Sequence, residues 1–105
     1  MEERAHNYAW RLLEKYRLEG WIVAIEPIPS LESGERVLGQ CQFHIQSIIL
    51  DCDLIHFGDW RLISDVIRHE IAHALVETPG HGPRWQRKAR EVGVSEKNIA
   101  RYVKF

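Results

Sequence analysis

The sequence predicts a small α+β domain, ordered helix, three-stranded antiparallel or mixed sheet, helix, helix, as a single domain over residues 1–105. Three observations carry that prediction. A helical apolar stripe opens the chain, segments of strand length and strand composition occupy its middle, and a long helical pattern followed by a shorter one fills the rest. With 105 residues, 45% hydrophobic and 28% charged, the chain can bury one core and has an ordinary globular composition.

Ala5, Tyr8, Ala9, Leu12, Leu13 and Tyr16 recur at the spacing of one face of an amphipathic helix, and Gly20 is placed to end it. Trp21 to Glu26 is rich in β-branched and aromatic residues and is stopped by Pro27 and Pro29, which predicts a buried strand. Residues 29–35 then read as a surface loop. From Gln40 to Gln46 the chain alternates, with Cys41, Phe43 and Ile45 towards the core and Gln40, Gln42, His44 and Gln46 towards water. The apolar parity next flips to Ile48, Leu50 and Cys52. A regular strand cannot change faces, so a turn or bulge is required near Gln46 and Ser47.

From about Asp59 to Glu77 the pattern is helical, with Asp59 or Ser64 as N-cap and Pro79-Gly80 as the stop. Pro83 suits the first turn of a further short helix carrying Trp85, Ala89 and Val92 and ending at Gly93. The tail from Val94 to Phe105 keeps Ile99, Tyr102, Val103 and Phe105 without a clean period, so it is expected to pack but its type is left unassigned.

Composition excludes several classes. A formal net charge of -1 offers no bulk attraction to nucleic acid or anionic membranes. The longest apolar runs, such as residues 21–25 and 48–50, are far below the roughly 20 residues of a membrane-spanning helix. The charged start Met1-Glu2-Glu3-Arg4 leads into no secretory apolar segment, so the expectation is a soluble, intracellular, cytoplasmic protein with no membrane partner. Cys41 and Cys52 are too few for a disulfide scaffold or an all-cysteine zinc ribbon and are expected to be reduced core thiols.

Three of the 6 histidines crowd into residues 69–81. His69-Glu70-Ile71-Ala72-His73 is an H-E-x-x-H pattern, whose two histidines lie about 40° and one turn apart on a helix and can converge on one ion. Ile63, Ile67, Ile71, Ala74 and Leu75 occupy the roughly opposite arc, so the same helix has a core face and a ligand face. Glu70, about 60° from His73, flanks the ion where a base acting on bound water belongs. A catalytic zinc site needs a third protein ligand and an open position. His81, beyond the Pro79-Gly80 turn, is the leading candidate, with Glu77 and Glu91 as competitors. Its spacing does not match H-E-x-x-H-x-x-G-x-x-H, which disfavours a metzincin.

Residues 65–74, Asp-Val-Ile-Arg-His-Glu-Ile-Ala-His-Ala, followed by His81-Gly82-Pro83-Arg84-Trp85, resemble the catalytic core of the SprT-like zinc metallopeptidases, the family that includes the Spartan proteases. Leu38-Gly39-Gln40-Cys41 and Ser47-Ile48-Ile49-Leu50 are similar to that family's Gly-x-Cys strand and the apolar strand after it, and the resemblance spans about residues 5 to 93. It implies a zincin-like minidomain with an edge strand that receives an extended substrate. It further implies that His69, His73 and His81 ligate one Zn2+, that Glu70 is the general base, and that Trp85 packs beneath the third ligand.

The expected function is therefore a zinc metallopeptidase, an endopeptidase hydrolysing peptide bonds of protein substrates. Zinc makes hydroxide available near neutral pH and polarises the scissile carbonyl. His44, Tyr102 and an arginine are candidates for further oxyanion stabilisation, none of them singled out. Arg84, Arg87, Lys88 and Arg90 give the short helix a basic face, which reads either as a solvated surface or as a contact for DNA or for the DNA around a DNA-bound protein, with nucleoid or nuclear location in that case. His6, His44 and His56 lack partners at ligand spacing. The competing functions are a zinc-containing nucleic-acid or protein binding module without proteolytic activity, and a hydrolase of small amides.

Overall fold

The alternation of apolar segments is realised as α1 (Glu2–Lys15), β1 (Ile22–Glu26), β2 (Gly39–Gln42), a single 3-10 turn (Phe43–Ile45), β3 (Ser47–Asp51), α2 (Cys52–Phe57), α3 (Trp60–Val76), α4 (Pro83–Val92) and α5 (Glu96–Val103). The structure is a computed structural model; it describes the backbone of residues 1–103 and the side chains of residues 1–100. Phe105 and the side chains of Tyr102 and Val103, named above for the tail, lie outside the described residues.

The sheet is mixed, in the order β1-β3-β2. β1 runs parallel to β3, with Val23 opposite Ile48 and Ile25 opposite Leu50. β2 runs antiparallel to β3, with Gly39 opposite Leu50 and Cys41 opposite Ile48. The central strand is buried along its whole length. Ile48 and Leu50 enter the main core together with Ala5, Ala9 and Leu13 of α1 and Ile63, Ile67 and Ile71 of α3. The two faces of α3 are thus separated as the sequence predicts, with those three isoleucines fully excluded from solvent.

On β3, Asp51 alternates with Leu50 and ties down the long 27–38 loop. Its carboxylate accepts from Ile28 N at 2.8 Å and from Arg36 at 2.9 Å. Burial pushes the Asp51 carboxyl up, but these donors outweigh it and hold its pKa below the ordinary value.

Several local expectations change. α1 ends at Lys15 with Tyr16 as its cap, before Gly20, because Arg17 itself turns left-handed (φ 55) and Leu18 N donates back to Leu13 O. The alternating segment Gln40–Gln46 is strand only as far as Gln42. The 3-10 turn follows, so Ile45 is 52% exposed rather than facing the core. The required turn is at Gln46, in the left-handed region with φ 47, and it makes β2 and β3 a hairpin. Cys52 begins α2 instead of ending a strand, Asp51 capping that helix through Asp53 N. Cys41 and Cys52 are free thiols, both half-buried, with Cys41 packed against the core and Cys52 outside it. Within the tail, Glu96–Val103 is helix α5.

Candidate metal centre

α3 begins where the sequence places it, with the Asp59 side chain accepting from Leu62 N at 2.8 Å. After 17 residues it ends at Val76, and its cap Glu77, in a left-handed conformation (φ 53), reverses the chain. That reversal brings His81 back over the last turns of the helix. Pro83 and the αL Gly93 bound α4, which carries Trp85 under the cluster.

The three imidazoles meet edge to edge. The Nε2 atoms of His69 and His73 are 3.2 Å apart, those of His73 and His81 3.1 Å, and those of His69 and His81 3.3 Å. Ligand atoms about 2.0–2.1 Å from a tetrahedral zinc would be separated by about 3.3–3.4 Å, so this triangle fits one face of such a coordination sphere. The protonation states agree with that role. His73 Nδ1 donates to Thr78 O at 2.8 Å, which leaves its Nε2 as a lone pair directed into the triangle. Burial lowers the His69 imidazole to about 3, with His73 and His81 adding to the effect, and lowers His73 to about 4. His81 is lowered by burial as well. Neutral imidazoles are the metal-binding form.

Trp85 is fully buried and forms the base of the cluster. Its ring stacks on His73 at 24° and 5.3 Å between centroids and meets His69 and His81 at 4.7 Å each. Its Nε1 donates to His69 O at 3.4 Å, and Gln86 donates to His81 O at 2.8 Å, so α4 holds the backbone at both residues while the indole packs on their rings.

Glu70 is buried beside the triangle, with Oε2 4.0 Å from His69 Nε2. Burial raises its carboxyl to about 8. It lines a cleft of about 600 Å³ together with the three histidines, strand β2, part of the 27–38 loop, Leu62 and Val66 of α3, and Asn98 of α5. β2 is an edge of the sheet, so one side of its backbone is not engaged by β3. Cys41 shares the cleft wall; its thiol is pushed up to about 12, first by burial and then by the Glu70 charge.

His69, His73 and His81 form the group able to hold a metal ion among the described residues. The competitors stand elsewhere: Glu77 is exposed at the helix cap and Glu91 pairs with Lys88 at 2.6 Å. Of the basic face, Lys88 is engaged by Glu91 and Arg90 by Glu96 at 2.7 Å, while Arg84 and Arg87 are exposed and unpaired among the described residues. His6 accepts from Trp10 at 3.2 Å, His56 packs on Phe57, and His44 is exposed on the 3-10 turn. The Thr78 carbonyl escaped sequence reasoning because any residue type supplies it. Asp65 and Asn98, paired across the cleft wall, left no spacing signal because they lie 33 residues apart.

The family model for SprT-like proteins matches residues 23–104. The chain belongs to the SprT-like family. Among solved structures, this SprT-like chain is similar to the metallopeptidase zymogen jannalysin of Methanocaldococcus jannaschii, with a TM-score of 0.72 at 16% identity, over 95% of this chain and 93% of that one. At that identity the likeness shows the fold. No curated protein matches the chain.

Proposed function

We propose that this SprT-like protein is a zinc-dependent endopeptidase acting on extended segments of protein substrates. The observation that carries the reading is the Nε2 triangle of 3.1–3.3 Å with the Glu70 carboxylate beside it, on the floor of a cleft bordered by a free strand edge. Membership of the SprT-like family and likeness to a protein described as a metallopeptidase zymogen support it.

His69, His73 and His81 would hold one zinc ion, leaving a fourth position open towards the cleft. Bound there, zinc supplies a Lewis acid for the scissile carbonyl and lowers the pKa of coordinated water towards neutrality. The rest is done by the chain. The free edge of β2 takes the substrate backbone as an added strand, which lays the scissile bond along α3. Glu70 takes a proton on its carboxylate from the attacking water and passes it to the leaving amine nitrogen. Its burial suits both halves of that task, since a carboxyl raised towards neutrality gains and gives up a proton readily. A cation held by the imidazoles would pull the value back down, so the two influences oppose one another.

Among the described residues no helix is long and apolar enough to cross a membrane. An intracellular location belongs to the proposal, as does a DNA-bound protein as substrate, for which exposed Arg84 and Arg87 are the available phosphate contacts. A DNA titration over a range of salt tests that part, and absence of affinity at low salt removes it.

The test of the main reading joins metal content to hydrolysis. Wild type is expected to carry one zinc and to cleave an unfolded protein, Glu70→Gln to keep the zinc without cleavage, and His81→Ala to lose the zinc. Full activity in Glu70→Gln eliminates the base. Zinc retained without any hydrolysis in wild type favours the binding module instead.

A further inference from the structure

From the geometry around Gly39 we infer that this residue is a positioning residue for Glu70: the absence of a side chain on the first residue of β2 makes the room in which the Glu70 carboxylate stands. The inference rests on the reading of Glu70 as the base.

A Cβ at Gly39 would lie 3.0 Å from Glu70 Oε2, 3.3 Å from Glu70 Cγ and 2.9 Å from Val66 Cγ1. Ordinary contacts between heavy atoms are about 3.5–4.0 Å, so something would have to yield. Gly39 is not among the residues with positive φ, so its requirement is proximity and not backbone conformation. β2 cannot retreat freely, because it is in register with β3 from Gly39 to Gln42 and Asp51 N donates to Leu38 O at 3.0 Å. Val66 cannot rotate freely either, since a β-branched side chain in a helix has one strongly preferred rotamer. Glu70 is unbranched and is the most movable of the three. A methyl group at position 39 therefore displaces the carboxylate from its place beside the imidazoles.

Leu38-Gly39 thus does two jobs in one stretch. It holds the strand that borders the cleft close against α3, and it does so without entering the space of the group that moves the proton. A misplacement of about 1 Å in a catalytic constellation lowers turnover by about 100-fold, whereas ligand geometry set by three other side chains is untouched.

The experiment uses Gly39→Ala and Gly39→Ala/Val66→Ala, each loaded with zinc. Gly39→Ala is expected to keep its zinc, to lose between about 10-fold and 100-fold in kcat with little change in KM, and to show in its crystal structure a displaced Glu70 carboxylate over three unmoved imidazoles. Adding Val66→Ala is expected to return the melting temperature but not kcat, because it relieves the packing clash and not the one with Glu70. If Gly39→Ala alone does not fold, the double variant carries both readouts. The inference is overturned if Glu70 stays in place in the variant crystal structure, or if kcat returns together with stability in the double variant, since Gly39 then serves packing alone. Failure of wild type to hydrolyse any protein would end the peptidase reading separately, and the displacement of Glu70 in the crystal would still decide the role of Gly39.

Discussion

At the candidate metal centre, buried histidines and a buried glutamate pull stability in opposite directions with pH. His69 and His73 have native values near 3 and 4 against an ordinary 6.5, so between those values the unfolded chain binds protons that the folded chain refuses. Their contribution is complete above about pH 6.5 and is lost as the pH falls through 4 towards 3. His81 acts in the same direction. Glu70 is the reverse: raised to about 8 from 4.5, it keeps a proton in the folded state that the unfolded state has released, so its contribution is lost as pH rises through 8. Three imidazoles outweigh one carboxyl below neutrality. The metal-free protein is therefore expected to melt at its highest temperature near pH 6.5, falling on both sides, and Glu70→Gln should remove the decline on the alkaline side. A melting temperature that climbs steadily from pH 6.5 to 8 in the metal-free wild type would refute this account. Sequence spacing alone put His69, Glu70 and His73 side by side, because one helical turn separates the two histidines.

Between elements, a highly connected polar group is Asp65, one turn before His69. It is buried and accepts from Ser95 N at 3.0 Å, Ser95 Oγ at 3.3 Å, Arg68 at 3.3 Å and the Asn98 side-chain amide. Arg68 in turn donates to Tyr8 OH at 2.8 Å, so one carboxylate links α3 to the start of α5 and, through Arg68, to α1. Asp65→Ala leaves a half-buried guanidinium and several donors without this acceptor and is expected to cost about 2 kcal/mol, the scale of polar groups left without a partner away from water. Urea denaturation measures it, and a loss below about 1 kcal/mol, the scale of a single exposed pair, would show that the network is dispensable. This junction also explains why the tail resisted assignment. α5 is oriented by Ser95 and Asn98 meeting Asp65, and by Ile99 entering the core, rather than by a long stripe of its own. The segment after Gln42 misled for a related reason: its alternation is genuine, but a 3-10 turn closed by Gln46 N on Phe43 O overrides it and puts Ile45 in solvent. Periodicity describes a strand only while the backbone stays extended.

At the scale of the whole molecule, an ion held by His69 and His73 of α3 and by His81 beyond the reversal would clamp the loop at 77–82 between two helices. Binding to the folded state alone stabilises it by mass action, about 2.7 kcal/mol when free zinc is 100 times its Kd. Wild type should accordingly rise in melting temperature with added zinc, and His81→Ala should rise much less at equal zinc. Equal shifts in the two proteins would place the ion elsewhere. The sequence by itself determined what depends on neighbours along the chain: the boundaries of α3 and α4, the core face of α3, the pairing of His69 with His73, and the turn at Gln46. These follow from helical and strand periods and from caps, which act over a few residues. Only the tertiary structure decided that His81 closes the triangle, that Trp85 underlies it, that β2 is a free edge, and that Gly39 stands against Glu70. Those are contacts between residues distant in sequence, and their geometry is set by how helices and sheet pack around one shared core.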